Sequence, residues 1–185
     1  LLSNPSIASK GWIYKQYDSQ VQLNTVFKPG ESDAAVIRLR DQNQKIKNKV
    51  FSGVAASVDC NSRWVYLDPF RGSIAAVAES SRNVSCVGAE PLAITNNLNF
   101  SSPNSEIGYW QLSSSCNGIS EACKILETPV TGGNVSLFNE SKNKDNSTTP
   151  IYPTPVIGMV GKIENVETAI SSEWKNFNDE IWLIG

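Results

Sequence analysis

Residues 72–89 read GSIAAVAESSRNVSCVGA and residues 91–100 read PLAITNNLNF. The first run repeats apolar residues on one face at helical spacing, namely Ile74, Val77, Ala78 and Val84. Gly88 stands where the C-terminus of a helix favours glycine. The second run begins like a buried strand and turns polar at Asn96-Asn97. Together the two runs predict a helix that lies over a sheet.

The same periodicities extend this prediction in both directions. A second helix is indicated by apolar residues that recur at three and four positions: Leu112, Cys116, Ile119, Ala122, Cys123 and Leu126. An N-terminal helix is predicted from Asn4 and Pro5 toward Tyr17. Strands are predicted at 21–27, 34–40, 53–58, 63–67, 91–100, 128–137 and 154–163, the strand at 128–137 being interrupted by a glycine pair. This order predicts an α+β fold, with helices on one face of a mixed, mainly antiparallel sheet.

Polar connections separate the predicted elements. Residues 28–32 read as a turn, 41–49 as a solvated connection and 139–150 as a mobile polar loop. Residues 164–180 read as a surface connection, and the apolar run at 181–184 as the start of a further strand. That ending, and a first residue that is not Met, suggest a piece of a longer chain.

Composition narrows the function classes. The chain has 185 residues, 40% of them hydrophobic, and a formal net charge of -2, which fits one globular domain and the beginning of a second. Its 16 Lys and Arg residues are scattered and outnumbered by 18 Asp and Glu, so nucleic acid is not an expected partner. No apolar run reaches the roughly 20 residues of a membrane span, and no signal peptide is visible, so neither a membrane nor export is expected.

The chain contains no histidine, so any reaction that needs an imidazole base must take it from elsewhere. The four cysteines, Cys60, Cys86, Cys116 and Cys123, lack the paired spacing of a zinc site and are interpreted as buried free thiols. Five Asn residues begin N-x-S/T tripeptides: Asn83, Asn99, Asn134, Asn139 and Asn146. They leave a secreted, glycosylated binding domain as the weakest alternative, although Asn83 lies in a helical pattern and Asn134 in a predicted tight glycine turn.

The run Thr131-Gly132-Gly133-Asn134-Val135-Ser136 is the strongest candidate for chemistry. Adjacent glycines allow positive φ and close approach of backbone N–H groups to an anion such as phosphate. An amide oxygen at Asn134 suits a hard cation, and the Ser136 hydroxyl suits phosphate or substrate. From these residues alone, a strand bulge or a turn is the favoured interpretation.

Other polar and aromatic residues are more ambiguous. Asp59 follows a predicted strand and suits a magnesium ligand and a turn-forming side chain equally. Asp68-Pro69 and Glu79 are interpreted as a turn and a helix surface. The tryptophans Trp12, Trp64 and Trp110 are interpreted as core or contact residues.

Several blocks of the sequence resemble one enzyme family. They are WIYKQYDSQVQLNTV at 12–26, YLDPFRGSIAAVAESSRNVSCVGAEPLAITNNLNF at 66–100, EACKILETPVTGGNVSLFNE at 121–140 and IYPTPVIGMVG at 151–161. Together they resemble the synthetase subunit of phosphoribosylformylglycinamidine synthase and follow the order of that family.

The resemblance implies a fold and a reaction. The family's chain holds two copies of a tandem unit, and this sequence resembles the second copy. Residues 1–165 match its N-terminal-type domain, similar to the N-terminal domain of aminoimidazole ribonucleotide synthetase, and residues 166–185 the connection and first strand of the next domain. The implied reaction is ATP-dependent conversion of formylglycinamide ribonucleotide to its amidine with ammonia from glutamine, in purine biosynthesis. ATP activates the amide oxygen, and Mg2+ neutralises charge on the phosphates.

The resemblance also assigns site residues. Asn96 and Gly133 match positions that contact ATP, Asn134 a position that contacts magnesium, and Ser136 a position that contacts the ribonucleotide. The family usually has Asp where this chain has Asn96, and many relatives have His where it has Ser19. The family's catalytic histidines lie in the first copy, so no catalytic residue is assigned and the piece alone is expected to be inactive.

Partners follow from the same resemblance. They are the ribonucleotide substrate, a glutaminase subunit, a small accessory subunit and the remaining domains of the parent chain. The free sheet face normally pairs with a sister domain, so the isolated piece is expected to form a homodimer. The expected location is the cytoplasm, with a plastid as the alternative. A non-catalytic nucleotide-binding or assembly domain of the same enzyme remains the second interpretation.

Overall fold

The computed structural model describes residues 1–40 and 50–183, so the predicted connection at 41–49 lies outside the described residues, as do residues 184–185. The helices are α1 Gly11–Tyr14, α2 Ser62–Leu67, α3 Pro69–Cys86 and α4 Glu106–Ile125. The strands are β1 Ala35–Arg38, β2 Gly53–Asp59, β3 Glu90–Asn99, β4 Val130–Ser136, β5 Glu140–Lys142, β6 Thr148–Pro150 and β7 Thr154–Ile163. Short 3-10 turns span Val21–Leu23 and Val166–Thr168.

Five strands form one sheet in the order β1-β2-β7-β3-β4. Every neighbouring pair is antiparallel except β3 and β4, which run parallel. The strands β5 and β6 form a separate hairpin. α3 and α4 contribute to the buried core on one side of the sheet. The predicted α+β fold, with helices on one face of a mixed, mainly antiparallel sheet, is therefore confirmed.

The core lies between α3 and the centre of the sheet. Val77 and Val84 of α3 are fully buried, as are Ile157 and Met159 of β7, because alternate residues of β7 face the helices. A Cβ at Gly161 would lie 2.4 Å from Cγ1 of Val84. The missing side chain therefore lets α3 approach the sheet closely.

Local signals set the ends of the long helices. The Asp68 side chain accepts a hydrogen bond from the Arg71 amide, and Pro69 occupies the first turn of α3. Asp68-Pro69, interpreted as a turn from the sequence, is therefore the junction between α2 and α3, with Pro69 already in the helix. Gly88, at φ +84°, follows the end of α3 as predicted. Ser105 caps α4 by accepting from the Gly108 amide.

The N-terminal predictions are mostly wrong. The predicted helix from Asn4 is reduced to α1, and residues 21–27 form no strand. Asp18 Oδ1 accepts hydrogen bonds from the Gln20 and Val21 amides, and such side-chain bonds compete with a strand ladder. A single bridge, Thr25 with Ile37, joins this segment to β1.

The predicted strand at 63–67 is wrong as well, because these residues form α2. Asn61 Oδ1 accepts from the Arg63 and Trp64 amides and thereby starts a helix. The core interpretation of the tryptophans is also wrong, since Trp12, Trp64 and Trp110 are all exposed.

Three further predictions need correction. β4 is not interrupted at the glycine pair, although its register with β3 shifts just before that pair. The predicted loop at 139–150 contains the β5–β6 hairpin. Residues 181–183 form no strand. Within residues 1–40 and 50–183, none of the helices has the length and apolar character that a membrane crossing needs.

Candidate functional site

The four residues assigned by the resemblance lie at the C-terminal end of one parallel strand pair. In the register of β3 and β4, Asn96 is opposite Gly133, Asn97 is opposite Asn134, and Asn99 is opposite Ser136. Residues that are 37 or more positions apart in sequence therefore become neighbours across a single ladder. β4 is the edge strand of the sheet, so one side of this pair is open to a ligand.

Position 133 has no room for a side chain, because Asn96 occupies the space where a Cβ would lie. A Cβ at Gly133 would lie 2.1 Å from Oδ1 and 2.3 Å from the backbone O of Asn96, whereas a Cβ at Gly132 would meet nothing within 4 Å. The expectation of positive φ at the pair is wrong, since the glycines with positive φ in the described chain are Gly30 and Gly88. The glycine at 133 is thus needed for close approach and not for a turn.

Asn96 faces a groove between β4 and α4. The cavity there has a volume of about 460 Å3 and is also lined by α4 residues and the segment that follows α4. It includes two charged side chains that the sequence interpretation missed, Lys124 and Glu127. Lys124 is a candidate for phosphate and Glu127 for a cation or a ligand N–H group. The signal available in the sequence was the position of Lys124 in the predicted helix, directly after Cys123.

Asn134 and Ser136 lie on the opposite face of β4. Successive side chains of a strand alternate between faces. Asn134 therefore lies on the face opposite the one that Gly133 shares with Asn96. On this second face Asn134 stands beside Asn97, whereas Ser136 stands beside Asn99. Asn99 is tied down by hydrogen bonds from its Nδ2 to Asn97 Oδ1 at 3.1 Å and to Thr154 O at 3.3 Å. The edge therefore presents two faces of uncharged polar groups.

Asp59 lies level with Asn96 across the sheet, but two strands away from it. It is opposite Ile157 on β7, and Ile157 is opposite Asn96, so two strand spacings, about 10 Å, separate Asp59 from Asn96. Asn83 Nδ2 donates to Asp59 Oδ1 at 2.9 Å, and Asp59 Oδ2 is buried without a hydrogen-bond partner. Glu79, interpreted as a helix-surface residue, is partly buried on α3.

The cysteines are free, as predicted, but differ in burial. Cys123 is buried, Cys60 is partly buried, and Cys86 and Cys116 are exposed, so the prediction of burial is wrong for the last two. Burial, with a smaller contribution from the charge of Glu79, raises the pKa of the Cys60 thiol to about 11. Burial also raises the pKa of the Cys123 thiol. Thiols that stay protonated at neutral pH are poor nucleophiles.

The described residues hold no group of three or more His, Cys, Asp or Glu that would bind a metal ion by itself. Asn134 offers one neutral amide oxygen. Mg2+ commonly takes one or two protein ligands and completes its shell with water and substrate phosphates. Asn134 fits a single position in such a shell, and the remainder would come from nucleotide and solvent.

The α+β fold places the chain in a known class of proteins. The chain belongs to the AIR synthase related protein family, whose N-terminal domain matches residues 31–163. Across its 185 residues it is 87% identical to the phosphoribosylformylglycinamidine synthase subunit PurL of Prochlorococcus marinus strain AS9601. All of this chain is covered but 24% of that protein, so the chain spans about a quarter of such relatives. The family resemblance is thus confirmed.

Solved structures agree with this assignment. The structure of PurLQS from Thermotoga maritima superposes with a TM-score of 0.70 at 31% identity, covering 92% of this chain and 28% of that one. T. maritima PurL complexed with ATP gives a TM-score of 0.69 at 34% identity, covering 86% and 24%. T. maritima PurL complexed with FGAR gives 0.64 at 33% identity, covering 86% and 24%.

Proposed function

We propose that this chain is one domain of an ATP-dependent carbon–nitrogen ligase of purine biosynthesis, phosphoribosylformylglycinamidine synthase. Residues 1–165 form the N-terminal-type domain of the second tandem unit, and residues 166–185 form the connection and first strand of the next domain. The support is the 87% identity to a PurL subunit along the whole chain and the likeness to PurL structures that carry ATP or FGAR.

The reaction proposed for the parent enzyme converts formylglycinamide ribonucleotide and glutamine-derived ammonia to formylglycinamidine ribonucleotide. This domain contributes binding groups and no acid or base. It contains no histidine, and Asn96, Gly133, Asn134 and Ser136 carry no titratable side chain. We therefore expect the isolated chain to be inactive in turnover.

The single observation that carries the proposal is the gathering of these residues along one strand ladder. Asn96 and Gly133 form the ATP contact beside the groove that Lys124 and Glu127 line. Asn134 would supply an oxygen ligand to Mg2+, which would neutralise charge on the phosphates, and Ser136 contacts the ribonucleotide. The placement of Asn134 and Ser136 on the face opposite Asn96 means that the ligands wrap around the sheet edge.

The proposed partners are a glutaminase subunit, a small accessory subunit and the other domains of the parent chain. A structure named PurLQS among the relatives supports such an assembly. The sheet face away from the helices exposes apolar side chains, including Ile37, Val58 and Val160. Cut from its parent, the domain should pair through this face as a homodimer. The proposed location is the cytoplasm.

A second candidate is a non-catalytic nucleotide-binding or assembly domain of the same enzyme. The observation that favours it is the neutral amide at Asn96, where the family usually has a carboxylate. An amide still donates and accepts hydrogen bonds with a nucleotide but binds Mg2+ more weakly than a carboxylate.

The test is calorimetric titration with ATP, with and without Mg2+. Asn96→Ala should abolish binding, Asn134→Ala should remove its magnesium dependence, and Asn104→Ala, in the loop before α4, should change neither. Binding that both site variants leave unchanged would contradict the proposal. If the isolated chain binds nothing, the same variants in the complete subunit decide the question. There, loss of ATP binding together with turnover supports the catalytic half-site, and loss of binding alone supports the second candidate.

A further inference from the structure

The turn after β4 brings Asn139 back against the strand ends. Asn139 Nδ2 donates to the backbone O of Ser136 at 2.9 Å and to the backbone O of Phe100 at 3.1 Å. Phe100 follows the last residue of β3, and Ser136 is the last residue of β4. One side-chain amide therefore holds the ends of both strands together.

The same amide fixes the Ser136 hydroxyl. Ser136 Oγ donates to Asn139 Oδ1 at 3.2 Å, and Asn139 Nδ2 lies 3.1 Å from Ser136 Oγ. The two backbone carbonyls identify the atom beside them as the amide nitrogen, because a carbonyl oxygen there would face two acceptors. This leaves Oδ1 to accept the hydroxyl proton. Ser136 Oγ is thus held in one rotamer with one proton position.

The backbone of this turn is itself constrained. Phe138 has φ +61°, a left-handed conformation that costs a bulky residue roughly 1 kcal/mol or more. The Asn139 amide N–H donates to Phe100 O at 3.1 Å, and the Ile151 N–H donates to Asn139 O at 3.1 Å. These two backbone hydrogen bonds hold the strained turn in place. In this conformation the Asn139 side chain contacts Ser136.

We propose that Asn139 is a positioning residue: by accepting the Ser136 hydroxyl proton, it fixes Ser136 Oγ so that an oxygen lone pair is left to accept a hydrogen bond from the ribonucleotide. This inference rests on the proposed substrate contact of Ser136. Asn139 itself touches neither substrate nor nucleotide and acts through Ser136. The amide nitrogen already has protein acceptors, so the tripeptide that begins at Asn139 is also a poor site for glycosylation.

The test is steady-state kinetics of the complete synthetase subunit with ammonia as the nitrogen donor and the ribonucleotide varied. The variants are Ser136→Ala, Asn139→Ala and the double variant. Asn139→Gln keeps the amide but displaces it, which serves if Asn139→Ala fails to fold. Asn143→Ala is the matched control, since Asn143 Nδ2 also bonds two side chains, Ser147 and Thr149, within the hairpin.

We expect Ser136→Ala and Asn139→Ala each to raise KM about tenfold, the loss of roughly one hydrogen bond, with kcat changed less than about twofold. The double variant should be no worse than Ser136→Ala, because Asn139 acts through Ser136. Asn139→Gln should raise KM as Asn139→Ala does, and Asn143→Ala should leave it unchanged.

Two results overturn the inference while leaving the proposed function intact. They are a normal KM in Asn139→Ala or Asn139→Gln when Ser136→Ala raises it, and multiplication of the two effects in the double variant, which would mark a purely structural role. A normal KM in Ser136→Ala is a different result. It would refute the substrate contact proposed for Ser136, and the role of Asn139 with it.

Discussion

Substituting Gly133 by Ala tests the geometry of the strand edge most simply. The added Cβ would lie 2.1 Å from Asn96 Oδ1 and 2.3 Å from Asn96 O. The side-chain atom can rotate away, but the backbone oxygen belongs to a paired strand and cannot. The substitution should therefore both strain the β3–β4 pair and displace the Asn96 amide.

The neighbouring glycine provides a matched control. A Cβ at Gly132 meets nothing within 4 Å, and neither glycine has positive φ. Overpacking typically costs about 1–3 kcal/mol, so Gly133→Ala should lose about 2 kcal/mol. Gly132→Ala should be neutral or gain up to about 1 kcal/mol, because alanine restricts the unfolded chain.

Urea unfolding followed by circular dichroism measures both variants, and thermal melting gives a second reading. For a domain of this size, a loss of 2 kcal/mol lowers Tm by roughly 4–8 °C. ATP titration of the same samples should show weakened binding for Gly133→Ala alone. Equal stability and equal ATP affinity in the two variants would refute the close contact of Gly133 with Asn96.

Three other predictions concern the rest of the domain. Burial and the charge of Glu79 raise the pKa of the Cys60 thiol from 9.0 to about 11. Because the thiol ionises at a lower pH in the unfolded chain, the free energy of unfolding should fall from pH 9 to pH 11. Cys60→Ser should therefore make the urea midpoint less dependent on pH in that window. Ile157→Ala, at a fully buried position, should cost about 2–5 kcal/mol in urea unfolding, while Val156→Ala on the other face of β7 should cost clearly less. Light scattering should give a dimer mass for the isolated chain and a monomer mass for Val58→Lys, whose valine is 73% exposed on the free sheet face; an unmodified chain that is monomeric would contradict the pairing.

The periodic spacing of apolar residues along the helices and strands predicted most of the fold. α3, α4, β2 and β7 follow from apolar spacing, because each presents one continuous face to the core. The errors fall where a short polar side chain decides the backbone. Asn61 converts a strand-like sequence into α2, and Asp18 prevents a strand after α1. Such local hydrogen bonds leave no periodic signal in the sequence.

The candidate site was less predictable than the fold. The residues alone singled out the run Thr131–Ser136 and favoured a bulge or turn there, and the register of β3 with β4 does shift next to Thr131. The family resemblance added Asn96 and the specific roles of Gly133, Asn134 and Ser136. What neither showed is that β3 and β4 align these residues in one register. The contact of Asn139 with Ser136 depends on a left-handed Phe138, which no residue preference predicts.

A crystal structure tests most directly whether the β3–β4 edge binds nucleotide. The complete subunit would be crystallised with a non-hydrolysable ATP analogue and Mg2+. We expect nucleotide density in the groove between β4 and α4, in contact with Asn96 and Gly133, and a metal ion beside Asn134. An empty groove at saturating nucleotide, with density only at other sites, would contradict it.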